Sequence, residues 1–159
     1  MTQISKSELL LEVWGSFFLA HSLSLQAIEQ ALSGKVDLSL HEYDVLRTIH
    51  RAPAGMMRFS ELTAVSVYTK SGISRVSKRL EESGFIEKKK CPNDGRSAFA
   101  CITPKGESAL KATWREYSSA ILELLSPLFN SAEATQLQEL MERMIQSIQP
   151  EALIQIAKQ

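Results

Sequence analysis

TKSGISRVSKRLEESGFIEKKKCPNDGRSAFACI, residues Thr69 to Ile102, is the stretch that decides the fold. Ile73, Val76, Ser77, Leu80 and Gly84 recur at helical spacing, so one face of a helix packs inward. Ser71, Ser74, Arg75 and Lys78 then fall on the opposite face. Short hydroxyls beside long cations suit a DNA major groove, where Arg reaches guanine edges. Gly84 can adopt the left-handed conformation that stops a helix. Phe85-Ile86 re-enters the core, and Glu87 to Cys91 reads as a strand. Pro92-Asn93-Asp94-Gly95 has turn chemistry, and Ser97 to Thr103 reads as the returning strand. A helix feeding a hairpin that carries Lys88, Lys89, Lys90 and Arg96 is a winged helix-turn-helix.

Outward from this stretch, charge supports the same reading. The 159 residues carry 18 Lys+Arg and 18 Asp+Glu, a formal net charge of zero. Between Tyr68 and Lys105 the balance is nine basic against four acidic residues; elsewhere it is nine against fourteen. An acidic body with one basic segment is the footprint of a DNA-contacting module. Two cysteines, Cys91 and Cys101, make no disulfide framework. Met1 to Glu12 lacks the cationic start and apolar core of a signal peptide. The charge-free run Val13 to Ile28 falls short of the roughly 20 apolar residues a spanning helix needs. The expectation is a cytoplasmic protein with no membrane partner.

Ser5 to Leu32 reads as one long helix. Leu10, Trp14, Phe17, His21, Ile28 and Leu32 line one face, and Leu9, Val13, Phe18, Leu19 and Leu25 widen it. A helix apolar on several sides needs more than one neighbour, which points to a subunit interface. Gly34 is its expected stop. Ser39 and Glu42 form a capping box for a second helix, whose inner face is Tyr43, Leu46 and Ile49 and which Pro53-Ala54-Gly55 breaks. A short third helix begins near Phe59, and Thr69 caps the recognition helix. Beyond the hairpin, Thr103 caps a helix with Pro104 at its first position. It should run to about Phe129, kinking or ending at Ser126-Pro127. Ser131 is the expected cap of a last helix, with Leu137, Leu140, Met141, Met144 and Ile148 on one stripe. Pro150 ends it before an apolar tail at Leu153, Ile154 and Ile156. The fold class is mainly α with a small β-hairpin wing. Its units are an N-terminal dimerisation helix (1–36), a winged helix-turn-helix (37–103) and C-terminal dimerisation helices (104–159).

Between Leu38 and Leu110 the chain resembles the multiple-antibiotic-resistance regulator (MarR) family of bacterial transcription factors. The resemblance runs through LSLHEYDVL, SELTAVSVYTKSGISRVSKRLEESGFIEKK and NDGRSAFACITPKG. The last is the most specific, with Asp94-x-Arg96 on the wing and then Thr103-Pro104-x-Gly106. It implies a homodimer reading a pseudo-palindromic operator in double-stranded DNA, half-sites about one helical turn apart. It implies that the helix bearing Ser71, Ser74, Arg75 and Lys78 enters the major groove. Arg96, braced by Asp94, would reach the minor groove, with Lys88 and Lys90 at phosphates. It further implies a repressor released by a small, often aromatic, effector in a crevice that Trp14, Phe17 and His21 could line. From the residues alone, those three suit a core or a dimer interface better than a ligand pocket.

Two other readings compete. A winged helix can dock proteins, but the exposed recognition face would then show apolar anchors, and this one shows Ser, Arg and Lys. A redox-sensing regulator would use Cys91, whose lysine neighbours could lower its pKa. In a simple hairpin around Asp94-Gly95, Cys91 pairs near Ala98 and Cys101 near Lys88, so the two thiols do not meet. No catalytic motif is present. His41-Glu42 is not followed by a second histidine at zinc-protease spacing, and His21, His41 and His50 lie on separate helices. No metal or other cofactor is expected, and no enzymatic activity.

Overall fold

The computed structural model describes residues 4–66, 68–91 and 94–148, with the side chains of residues 90–97 outside that description. The described residues form six α-helices and a small sheet: α1 (Lys6–Leu32), α2 (Leu40–Arg51), β1 (Met56–Arg58), α3 (Phe59–Val65), α4 (Lys70–Glu82), β2 (Ile86–Cys91), β3 (Asp94–Ile102), α5 (Pro104–Leu125) and α6 (Ser131–Ile148). The expected class, mainly α with a winged helix-turn-helix at the centre, is the one observed.

Helix starts follow local chemistry. The Ser5 hydroxyl accepts from Glu8 N–H and the Glu8 carboxylate accepts from Ser5 N–H, a reciprocal cap for α1. Ser39 and Glu42 do the same for α2. Thr69 accepts from Gly72 N–H at the head of α4. The α6 cap is not Ser131. The Asn130 side chain accepts from Ala132 and Glu133 N–H, and the Glu133 carboxylate accepts from Asn130 N–H. Asparagine one position earlier completes the box, so Ser131 is already helical. Helix α5 ends at Leu125 with Ser126 as its cap, short of Phe129, because Pro127 cannot continue it.

The sheet has three antiparallel strands in the order β1-β3-β2, one more than the expected hairpin. Residues Met56–Arg58 follow a 3-10 turn at Pro53–Gly55 and pair with Phe99–Cys101. Strand β3 starts at Asp94 rather than Ser97, so Asp94 and Gly95 belong to the strand; Pro92 and Asn93 lie outside the described residues. Cys101 faces Glu87, and Cys91 faces Asp94 across an irregularity between Lys90 and Cys91. The register thus differs from the simple hairpin: Lys90, not Cys91, pairs with Ala98. That irregularity leaves the two cysteines opposite different residues. The expected tail at Leu153 to Ile156 also lies outside the described residues.

The main core gathers Tyr43, Leu46, Ile49, Leu62, Ile73, Leu80, Phe85 and Ile86 under α2, α3, α4 and the sheet. A second cluster, Ile28, Leu32, Leu40 and Ala120, joins α1 to α5. Burial of such apolar surface, about 25 cal/mol per Å², is what holds the lobe together. Helix α1 uses only its C-terminal end for this. Leu11, Trp14 and Phe18 remain 73%, 60% and 63% exposed, and no residue of α6 is buried.

Candidate nucleic-acid interface

Helix α4 is fixed at its end by backbone chemistry. Gly84, at φ +73°, donates to Glu81 C=O, and Phe85 N–H donates to Leu80 C=O. These two bonds form a Schellman motif, with buried Leu80 and Phe85 supplying its apolar contact. The Thr103-Pro104-Lys105-Gly106 segment then grips the same junction. The Thr103 hydroxyl donates to Gly84 C=O at 2.7 Å and accepts from Gly106 N–H at 3.0 Å. The Lys105 ammonium donates to Ser83 C=O at 2.7 Å and lies 5.1 Å from the Phe85 ring centroid. A β-carbon on Gly106 would collide with the Phe85 carbonyl, so only glycine lets α5 start this close. The segment anchors the end of α4 to the start of α5.

The other side of α4 is held through α2. Glu42 is 6% exposed, and its carboxylate serves two helices. One oxygen accepts from Ser39 N–H and Oγ–H; the other lies 3.1 Å from Arg79 Nε. Nearer the start of α4, the Tyr68 hydroxyl donates to the Asp44 carboxylate at 2.9 Å. Burial, then the Asp44 charge and hydrogen bond, push the Tyr68 phenol up, so it stays a protonated donor.

So held, α4 buries Ile73, Ser77 and Leu80 and leaves Ser71, Ser74, Arg75 and Lys78 exposed together on the other face. Arg75 has no ion-pair partner among the described residues. Lys78 lies 3.7 Å from Glu82 one turn on, an exposed pair of small energy. Lys88 is less free: it pairs with Glu81 and packs its ammonium 5.6 Å from the Phe59 ring centroid. Lys89, on the other face of β2, pairs with Glu87 at 2.7 Å. The side chains of Lys90, Asp94 and Arg96 lie outside the described residues. Trp14, Phe17 and His21 form a ladder one turn apart along α1, with centroids 6.1 and 6.4 Å apart. They sit on its exposed side, and within one protomer they line none of the described crevices. Cys101 is buried, and burial pushes its thiol up, away from the reactive thiolate. Arg79, Asp44 and Lys105 were not evident as site residues, because each acts through a partner remote in sequence.

The sequence pattern of the MarR family matches residues 38–98, which span α2 to the middle of β3. An uncharacterised helix-turn-helix transcriptional regulator from Bacillus cereus is 31% identical over 110 residues, 69% of this chain and 71% of the relative. The chain belongs to the MarR family. A MarR family regulator from Streptomyces coelicolor, solved in complex with DNA, superposes with a TM-score of 0.79 at 25% identity. That match covers 94% of this chain and 93% of the regulator. The organohalide-sensing regulator RdhR, in its 2,4-dichlorophenol-bound form, has the same fold at 14% identity and TM-score 0.79, covering 94% and 89%. This chain is thus a DNA-binding transcriptional regulator of the MarR family, a family of regulators rather than enzymes. No described helix is long and apolar enough to cross a membrane, and no described cluster of His, Cys, Asp and Glu could hold a metal ion.

Proposed function

We propose that this MarR-family chain acts as a homodimeric repressor that reads a pseudo-palindromic operator. The observation that carries the DNA-reading part is the face of α4 that exposes Ser71, Ser74, Arg75 and Lys78 together. Arg75 reads a base edge, the serines allow close approach, and Lys78 exchanges Glu82 for a phosphate. On the wing, Arg96 enters the minor groove with Asp94 as its brace, while Lys88 and Lys90 meet the backbone. The chain divides functionally at 1–36, 37–103 and 104–159.

Dimerisation is supported by apolar surface that one protomer leaves uncovered: Leu10, Leu11, Trp14 and Phe18 on α1, and Leu137, Leu140 and Ile148 on α6. Contiguous apolar area of this kind marks an interface. A small effector, aromatic in character, would relieve repression, with the Trp14, Phe17 and His21 ladder facing it or the partner subunit. The protein-docking alternative is disfavoured by the lack of apolar anchors on the α4 face. The cysteine-switch alternative is disfavoured for Cys101 by its burial.

The test is operator binding by Arg75→Ala and Arg96→Ala. Arg75→Ala should cost about 1–3 kcal/mol and relax preference at one base step. Arg96→Ala should weaken binding without altering thermal stability. Parental affinity in both variants would remove the recognition face and the wing from the mechanism.

A further inference from the structure

The recognition helix is held differently at its two ends. At the tail, Arg79 meets the Glu42 carboxylate, Lys105 donates to Ser83 C=O and Thr103 donates to Gly84 C=O. At the head, Tyr68 immediately precedes the Thr69 cap and touches α2 twice. Its hydroxyl donates to the Asp44 carboxylate at 2.9 Å, and its ring lies 4.9 Å from the His41 ring, tilted by 49°. His41 and Asp44 are three residues apart and so are neighbours on one face of α2. The first turn of α4 sits directly on this point. A β-carbon at Gly72 would lie 3.7 Å from Tyr68 Cβ and 3.3 Å from Thr69 Oγ1.

Phenylalanine would fill the same space without drawing a carboxylate out of water, so packing alone does not account for the hydroxyl. What the hydroxyl adds is direction. A hydrogen bond to a fixed acceptor sets where Tyr68 sits, and with it the rotation of the helix whose cap is the next residue. Side-chain tips stand about 6 Å from a helix axis, so a rotation of about 10° carries them about 1 Å. A shift of about 1 Å breaks a base-edge hydrogen bond, which needs about 2.7–3.2 Å. A water-screened charge pair moved from about 4 to about 5 Å forfeits only about a fifth of its energy. Rotation of α4 therefore matters to base reading and hardly at all to phosphate attraction.

We propose that Tyr68 and Asp44 are positioning residues for sequence readout: their bond fixes the rotation of α4, and so how sharply the protein separates its operator from other DNA. This rests on the DNA-reading role of the α4 face proposed above. Neither residue touches a base. The tail contacts stay in place when the Tyr68 hydroxyl is lost, so α4 pivots about its tail, and Ser71, Ser74 and Arg75 near the head move most.

The test uses the full chain and two labelled duplexes of equal length, one a selected operator and one without it, with anisotropy read at two salt concentrations. Tyr68→Phe should raise the operator Kd about tenfold, the worth of one base-edge contact. The non-operator Kd and both salt slopes should stay as in the parent, since the phosphate contacts are intact. Asp44→Ala should match Tyr68→Phe, and the double variant should be no worse than either, because both remove the same bond. Asp44→Asn keeps an acceptor and should lose only about threefold. Operator and non-operator affinity falling together, alongside Tm, would make the bond an ordinary packing contact and overturn the positioning role. So would parental operator preference in Tyr68→Phe, or an asparagine variant as impaired as the alanine one. Arg75→Ala in parallel separates the two levels. If it loses operator preference while Tyr68→Phe keeps it, only the positioning role fails; if Arg75→Ala keeps parental preference, the DNA-reading face fails and the positioning role with it.

Discussion

Gly106→Ala tests the grip between α5 and the recognition helix. The new β-carbon would collide with the Phe85 carbonyl and lie 3.0 Å from Ile102 Cγ1. The Phe85 carbonyl is backbone and cannot rotate away, since it already accepts from Thr103 N–H at 3.0 Å. Relief requires α5 and the α4–β2 junction to separate, an overpacking cost of about 1–3 kcal/mol. Alanine's better helix propensity returns at most about 1 kcal/mol, and less near a helix start. A clash with backbone puts the cost toward the upper end of that range, so the steric loss wins, by about 1–2 kcal/mol. For a chain of this size that lowers Tm by about 2–8 °C. Calorimetry at matched protein concentration measures it, because dissociation of an oligomer would also move Tm. Separation at Phe85 also shifts the end of α4, so operator affinity should fall alongside stability. A Tm equal to or above that of the parent would refute the close-approach argument.

Glu42→Gln keeps an acceptor for the Ser39 cap but loses the charge that holds Arg79, whereas Glu42→Ala loses both. Urea denaturation should place the alanine variant about 1 kcal/mol below the glutamine variant, and equal stabilities would mean that the cap contributes nothing. Phe18→Glu puts a charge on the exposed apolar side of α1; sedimentation should show dimerisation weakened about 100-fold or more, and an unchanged dimer would place the interface elsewhere. Because burial pushes the Cys101 thiol up, it stays protonated at pH 7–8, and its thiolate grows only as pH rises further. Peptide mapping after iodoacetamide treatment should find Cys101 alkylated about tenfold more slowly in native protein than in the unfolded chain. Equal rates would contradict its burial.

Features written in adjacent residues are legible in the sequence alone. The Ser39/Glu42 box, Thr69 and Thr103 as caps, and Gly84 as the stop each depend on contacts within a few residues. The Asn130 cap has the same kind of signal, Glu133 three residues on, but the neighbouring serine is an equally good cap by residue type. Strand β1 is not legible because three residues carry no periodicity and gain strand character only by pairing with β3. The start of β3 at Asp94 escapes for a related reason. Turn chemistry at Asp94-Gly95 marks a loop, yet the pairing of Cys91 with Asp94 is set by the irregularity next to Lys90. The exposed side of α4 follows from periodicity, since Ile73, Ser77 and Leu80 fix its rotation. Its supports do not, because the Glu42–Arg79 and Asp44–Tyr68 contacts join α2 to residues 24 or more positions away.

The most direct test of the central claim is selection from a genomic fragment library by the full chain at two salt concentrations, with the retained fragments sequenced. The account predicts enrichment of a pseudo-palindrome with half-sites about one helical turn apart, and affinity that falls steeply as salt rises. Retention of no specific sequence at either salt would contradict it.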